Sequence, residues 1–412
     1  MSCITAEDRS LLQSTIDSYT VKRDGVPGLV CSVVNANGDI VFESASGTRA
    51  AGSALPMSHD TVFWIASCTK LVTAIAAMQL VEQGRLALDD GDELETHLPE
   101  LQNVKVLEET PDGSVELVDK KRKITLRMLL SHTDGTRESD IFGQPLVHQP
   151  GDKWEYGVSM DWVGRLIERV AGTSLGDYFE QHICTPLKMQ STKFCPTADM
   201  KANLAFMHER TTDGRIQLRD NGHVLSTPLR ASAEEQASGI LHSGGGGLFS
   251  TPSDYCQIIA TVLNHGKHPN TGHRLLKRET LDEMLRNQIP EHPNFARSLP
   301  PAAKPSFVNS APEIYPQPES EPQGWGLSFF KLLSGGPTGR SAGSVWWSGL
   351  ANLVWWADVE NGIGGLFASQ ILPFGDAEFF TCQTEVEALL YSALSTNGKI
   401  AAANVRLGEG SE

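Results

Sequence analysis

The chain has 412 residues, 40% apolar and 20% charged, enough to bury one large core or two moderate ones. A formal charge of −16 repels nucleic acid and anionic membrane, which excludes both as partners unless a local basic patch overrides the net field. No run approaches the roughly 18 to 20 apolar residues of a membrane span. The seven cysteines lack CxxC spacing and are odd in number, as expected of reduced thiols in a cytoplasmic protein. The first residues, Met1 to Arg9, do not read as a secretory signal.

Residues 4–21 repeat with helical period, placing Ile4, Leu11, Leu12, Ile16 and Tyr19 on one face, and predict a first helix. Gly28 to Val34 and Ile40 to Ala45 are β-rich runs joined through Asn37-Gly38, a dipeptide suited to a tight hairpin, and predict two antiparallel strands. Ile65 to Gln83 is rich in Ala, Leu, Met and Val and stops at Gly84, which predicts a long, mostly buried helix. The stretch 89–285 is mainly helical in pattern, with segments at Lys123–Leu130, Ser159–Ala171, Ser174–His182 and Ser253–Asn264. Residues 288–324 gather nine prolines in an acidic stretch and are expected to form a surface loop. Four strands are then expected at Trp325–Leu333, Ser344–Ser348, Leu353–Ala357 and Gly364–Ser369, with a closing helix over Ala377–Ser395.

The expected fold is α+β, an antiparallel sheet flanked by helices. Residues 1–60 and 325–412 supply a discontinuous sheet domain, 61–287 a mainly helical insertion carrying the Ile65–Gln83 helix, and 288–324 the loop. The sequence contains no internal repeat, heptad run or phosphate-binding glycine loop, which removes solenoids, coiled coils and P-loop enzymes.

Chemistry is concentrated at few places. Ser67 and Lys70 lie three residues apart at the start of the buried helix, so hydroxyl and amine share a face. The positive end of the helix dipole favours an alkoxide on Ser67 and disfavours charge on Lys70. A lysine followed by Leu71, Val72, Ala74, Ile75, Ala76 and Ala77 is costly unless paired or used. Tyr156, in the run Pro150 to Ser159, supplies a phenol that an ammonium neighbour can turn into a general base or proton relay. Ser344 to Leu350 reads as a strand ending in a small-residue turn, whose N–H groups can face an oxyanion together with that of Ser67. The quartet Gly244 to Gly247 precedes a helix start at Ser250 to Pro252 and can bring backbone close to a site. Gly339-Arg340-Ser341-Ala342-Gly343 fits GxSxG, but a strand follows Ser341 and the last histidine is His292, so it is rejected as a nucleophile elbow. His265 and His268 lack further convincing ligands, and no metal or cofactor site is expected.

With these residues in view, the sequence resembles the serine β-lactamase and penicillin-binding-protein superfamily, in the class C β-lactamase and esterase branch. The resemblance rests on Trp64 to Lys70, Ile124 to Gly135, the Pro150 to Tyr156 run and Gly245 to Thr251. Within that branch it is most similar to fungal side-chain acyltransferases of the lovastatin type, through Glu155 to Trp162 and Asn352 to Trp356. The resemblance implies Ser67 as nucleophile, Lys70 and Tyr156 as the base pair, and an oxyanion hole from the N–H groups of Ser67 and Leu350. Ser159, Trp347, Ser348, Gly349 and Gly246 are the expected substrate-binding positions.

Two departures shape the expected chemistry. Where β-lactamases carry Tyr-x-Asn, this chain has Val158 at the amide's position and Ser159 just after it, and Trp347-Ser348-Gly349 replaces Lys-Thr-Gly, removing the cation that grips a β-lactam or peptide carboxylate. The expected activity is transfer of an acyl group from a small-molecule ester or acyl thioester, a carrier-bound acyl chain included, to an alcohol acceptor of secondary metabolism. A carboxylesterase is the alternative. β-Lactamase activity and a non-catalytic scaffold of the same fold stand behind both.

Overall fold

Strands β1 (Gly28–Asn35) and β2 (Ile40–Gly47) form the hairpin expected from Asn37-Gly38, with Gly38 at φ 81°. In this computed structural model they join five strands from the far end of the chain: β3 (Gly324–Trp325), β4 (Phe330–Lys331), β5 (Val345–Gly349), β6 (Leu353–Asp358) and β7 (Ile363–Ala368). The sheet order is β2-β1-β7-β6-β5-β4-β3, with every neighbouring pair antiparallel. The two chain ends meet where Val30 pairs with Ala368. The structure describes residues 4–134, 142–232, 239–297, 304–309, 318 and 320–408, with side chains as far as 395. Much of the proline-rich stretch, 298–303, 310–317 and 319, lies outside the described residues, as does Gly135.

Alternation along the strands separates two apolar layers. Leu29, Cys31 and Val33 of β1 join Val354 and Trp356 of β6 in a core with helices α1 (Ala6–Thr20) and α6 (Ala377–Gly408). Val30 and Val34 face the other way, with Leu353 and Trp355, into a larger core. That core includes α2 (Thr69–Glu82), α3 (Leu126–Ser131), α4 (Ser159–Ala171) and α5 (Pro252–Leu263), the last packed under β1, β7 and β6.

The structure departs from the sequence reading in three places. Trp325–Leu333 is not one strand: Ser328 at φ 87° turns the chain back on itself, so that Phe330 of β4 pairs with Trp325 of β3. The helical stretch contains two hairpins, Lys105–Glu109 with Val115–Asp119 and His208–Arg210 with Ile216–Leu218. Both close on a Thr-x-Asp-Gly turn in which the Thr hydroxyl donates to the Asp carboxylate and the glycine takes positive φ. The helix expected over Ser174–His182 is an α segment, Leu175–Phe179, followed by a π turn over Glu180–Cys184.

The rejected GxSxG segment has a structural use. Arg340 is fully buried and paired with the equally buried Glu387 of α6, with Nε donating at 2.6 Å, and its guanidinium lies over the rings of Trp346 and Trp356. Ser341 spends its hydroxyl and its N–H on Asp358. Arg340→Met leaves the buried Glu387 carboxylate without its cation, with only Thr338 and Gln383 still donating to it, and should lower unfolding free energy by about 3–5 kcal/mol in urea titrations, with part of the loss recovered by adding Glu387→Met. A single variant within 1 kcal/mol of wild type would contradict this account of the pair.

Candidate active site

Ser67 lies in a single 3₁₀ turn, Ala66–Cys68, that leads into α2. The turn is fixed from all sides. The preceding residues Phe63–Trp64 pair antiparallel with Phe249–Ser250, Ile65 N–H donates to Leu248 O at 3.0 Å, and Gln370 Nε2 donates to Trp64 O at 3.0 Å. Buried Tyr255 closes it from below by donating to Cys68 O at 2.8 Å. Ala66 is held at φ 44°, a left-handed conformation that costs a residue with a Cβ about 1–3 kcal/mol. The result is selective exposure: every residue in 61–80 is buried except Ser67.

Lys70 is 4% exposed. Its Nζ donates to Ser67 Oγ at 3.0 Å and to Gly245 O at 2.6 Å, and sits 4.7 Å from the Tyr156 ring centroid. Among the described residues no carboxylate forms an ion pair with it. The glycine quartet therefore reaches the site directly. Thr73 donates to Gly244 O at 2.7 Å, Trp64 Nε1 donates to Gly246 O at 2.6 Å, and Asp161 of α4 accepts from Gly245 N–H and the Ser243 hydroxyl. A Cβ at Gly245 would lie 2.5 Å from Asp161 Oδ2, so a side chain there would displace the carboxylate that holds this loop.

Tyr156 stands in an aromatic box. Trp347 Nε1 donates to its Oη at 3.1 Å, and the rings of His132, Trp347 and Trp154 lie 4.8, 5.2 and 6.2 Å from its own. Trp325 closes the box at 4.7 Å from Trp347 and 5.7 Å from His132. The loop carrying Tyr156 is tied to the end of α3, where Glu155 N–H donates to His132 O at 2.9 Å and Gly151 N–H to Thr133 O at 2.6 Å. Burial, and then the charge of Lys70, push His132 well below the ordinary histidine range, so the ring is neutral.

The end of β5 runs beside the Ser67 turn. A Cβ on Gly349 would fall 2.6 Å from Ile65 O, and Leu350 follows at once in the turn into β6. That turn is held by Asn352, at φ 60° and fully buried. Its amide donates to Ile371 O and Pro373 O and accepts from Gly375 N–H and Asp376 N–H, all between 2.9 and 3.1 Å.

The expected substrate-binding positions thus divide. Trp347 and Gly349 lie in phase on β5, the first against Tyr156 and the second beside the Ile65 carbonyl, and a Cβ on Gly246 would lie 3.8 Å from the Ala66 backbone. Ser348 is out of phase, 6% exposed on the Trp346 side of the strand, so its placement at the substrate is corrected. Ser159 is also corrected: it is 0% exposed, with its hydroxyl donated to Asp134 at 2.6 Å and 3.1 Å from His132 Nδ1. Of the four tryptophans on β5 and β6, Trp346, Trp355 and Trp356 are core residues and Trp347 stands at the site. The sequence reading missed Trp154, Trp325 and His132 as neighbours of the pair, while the backbone approach it allowed the glycine quartet is made by the Gly245 carbonyl. Trp154 and His132 lay inside quoted motifs and Trp325 at the start of an expected strand, but only packing brings their rings together.

The β-lactamase family model matches residues 15–379. This chain belongs to the β-lactamase family. Among its relatives, it is 30% identical to the monacolin J acid methylbutanoyltransferase of Aspergillus terreus (strain NIH 2624 / FGSC A1156), covering 90% of this chain and 93% of that one. It is 31% identical to a lovastatin esterase of Penicillium rubens, over 88% and 92%. A solved simvastatin synthase from Aspergillus terreus superposes with a TM-score of 0.79 at 28% identity, over 95% of this chain and 96% of that one. Within the β-lactamase family, the chain is therefore an enzyme of the acyltransferase and esterase group. Among its described residues no helix is long and apolar enough to cross a membrane.

The β5 contact gives a direct test of the site's geometry. Gly349→Ala must displace either β5 or the Ile65–Cys68 backbone and should lower kcat toward an ester substrate by about 10²-fold, with far-UV circular dichroism unchanged. Wild-type kcat in that variant would show that the strand end does not serve the reaction.

Proposed function

We propose that Ser67 is the nucleophile of an acyl-enzyme mechanism, and that the chain moves an acyl group from an ester or acyl thioester to the alcohol of a small apolar acceptor. The observation that carries this reading is the contact set of Lys70, which joins Ser67 Oγ, the Gly245 carbonyl and the Tyr156 ring in one buried pocket. Ser67 Oγ attacks the carbonyl carbon while Lys70 and Tyr156 together take its proton. The N–H groups of Ser67 and Leu350 receive the oxyanion; the first N–H of a helical turn has no partner within the turn, which supports that use. As the tetrahedral intermediate collapses, the bond to the donor's alcohol or thiol breaks and the proton passes to the departing oxygen or sulfur. The acceptor hydroxyl then repeats the sequence in reverse, giving up its proton to Lys70 and Tyr156 and releasing Ser67 as the new ester forms.

Trp347 stands where a β-lactam-binding enzyme of this family carries a cation, and its indole N–H is engaged with Tyr156 Oη. A neutral donor holds the phenol in place without attracting a carboxylate, which supports uncharged ester substrates over β-lactams. The names of the relatives, a methylbutanoyltransferase and a lovastatin esterase, support a short acyl group and a secondary-metabolite partner. A carrier-bound acyl chain is one form the thioester donor takes in this reading. The described cysteines are free thiols, which supports a cytoplasmic setting.

Incubation with a short-chain aryl ester or acyl thioester should add the acyl mass to the peptide containing Ser67, and Ser67→Ala should lower turnover by at least ~10³-fold. An added alcohol should accelerate turnover and yield a new ester. Turnover that ignores the alcohol would make the enzyme a carboxylesterase; wild type indistinguishable from Ser67→Ala would make it a non-catalytic scaffold.

A further inference from the structure

Behind the aromatic box lies a buried polar chain that the acyl-transfer reading does not use. Asp134, Ser159 and His132 are each 0% exposed. Ser159 Oγ donates to Asp134 Oδ1 at 2.6 Å and lies 3.1 Å from His132 Nδ1. A hydroxyl has a single hydrogen; with that hydrogen on Asp134, Ser159 Oγ can only accept from the ring, so Nδ1 must be the protonated nitrogen. Nε2 then carries a bare lone pair. It is buried and, among the described residues, has no hydrogen-bond partner. The ring contacts of His132 are with Trp154, Tyr156 and Trp325, and the His132 carbonyl binds Glu155 N–H, one residue before Tyr156.

A buried acceptor without a donor is costly and seldom kept without a use. Here the costly state follows from the chain itself. An N–H on Nε2 would place a second donor in the box where Trp347 already supplies the hydrogen bond to Tyr156 Oη. The bare nitrogen instead leaves the imidazole, whose ring lies 4.8 Å from that of Tyr156, with a lone pair and no hydrogen to offer there. We propose that Asp134 and Ser159 are positioning residues which lock His132 as its Nδ1–H tautomer, so that the proton-accepting pocket of Lys70 and Tyr156 is lined by a lone pair rather than a competing donor. This rests on the reading of Ser67, Lys70 and Tyr156 as the reacting groups. It assigns Ser159 a place behind the site instead of at the substrate.

The test is the tautomer itself. In the intact enzyme labelled with ¹⁵N-histidine, with the His132 signals identified by their loss in His132→Gln, Nδ1 should appear protonated and Nε2 bare between pH 6 and 9. Asp134→Asn replaces an acceptor with an amide that can donate to Ser159, turning the Ser159 hydrogen toward Nδ1 and moving the ring proton to Nε2. That variant should show the switched tautomer, with kcat lower by about 10-fold, the scale of one hydrogen bond to a reacting group, and KM within about twofold of wild type. Should it fail to fold, Ser159→Ala, which removes the lock and permits both tautomers, should show a mixed ¹⁵N pattern and an intermediate kcat. An Nε2–H ring in the wild type overturns the proposal, as does a switched tautomer with unchanged kcat. Neither result touches the assignment of Ser67, which stands or falls on the loss of turnover in Ser67→Ala.

Discussion

Lys70 is buried, and among the described residues its nitrogen is held by a serine hydroxyl, a backbone carbonyl and a ring face rather than by a carboxylate. Removing an amine from water costs several kcal/mol unless hydrogen bonds replace those lost, and three elements converge to supply them. Helix α2 carries Lys70, and the 3₁₀ turn that leads into it carries Ser67. The glycine quartet carries the carbonyl of Gly245, and Asp161 of α4 draws that loop inward through Ser243 Oγ and Gly245 N–H. The loop carrying Tyr156 supplies the ring and is itself fastened to the end of α3. A carboxylate partner would hold Lys70 as an ammonium in a structural ion pair, unable to accept the Ser67 proton. Neutral oxygens and a π face satisfy it while leaving the Ser67 contact available for proton transfer.

A second ring of contacts keeps this arrangement from relaxing. Ala66 sits in a left-handed conformation beside Ser67, and such strain persists only where the surroundings hold it. Here they do so through Leu248, Gln370 and Tyr255, each hydrogen-bonded to the backbone of the turn or its flanks. On the far side Asn352 uses the donors and acceptor of its amide to lock the β5–β6 turn to the segment Ile371–Asp376. The strand end that reaches Ser67 is therefore anchored in the sheet and in the start of α6, not in a mobile loop. Preorganisation of this kind spares the reaction from moving donors into place as negative charge develops.

How much of this the sequence disclosed follows from the range of the interactions. The Ser67–Lys70 contact was legible because a spacing of three within one helical turn is a local constraint, and α4 was legible to the residue because its apolar spacing is strongly periodic. The two Thr-x-Asp-Gly hairpins had a readable turn signal, but their strands of three to five residues are too short to show period two against a helical background. Ser348 could have been separated from Trp347 and Gly349 by strand alternation alone. Ser159 could not: which side of the first turn of α4 faces Asp134 and which faces the cleft depends on α3 lying behind it. Nor does any local pattern join Trp154, Trp325 and Trp347, which come from three separate segments and meet only because the Gly324–Lys331 hairpin extends the sheet beside β5.

The central claim is that the Ser67–Lys70 contact drives formation of a covalent acyl-enzyme. Stopped-flow release of the aryl alcohol from an activated ester measures that step directly, comparing wild type with Lys70→Ala. The account predicts a rapid burst approaching one equivalent per enzyme in the wild type, and in Lys70→Ala an acylation rate constant lower by at least ~10²-fold, with no resolvable burst. A burst of unchanged rate constant and amplitude in Lys70→Ala would contradict it.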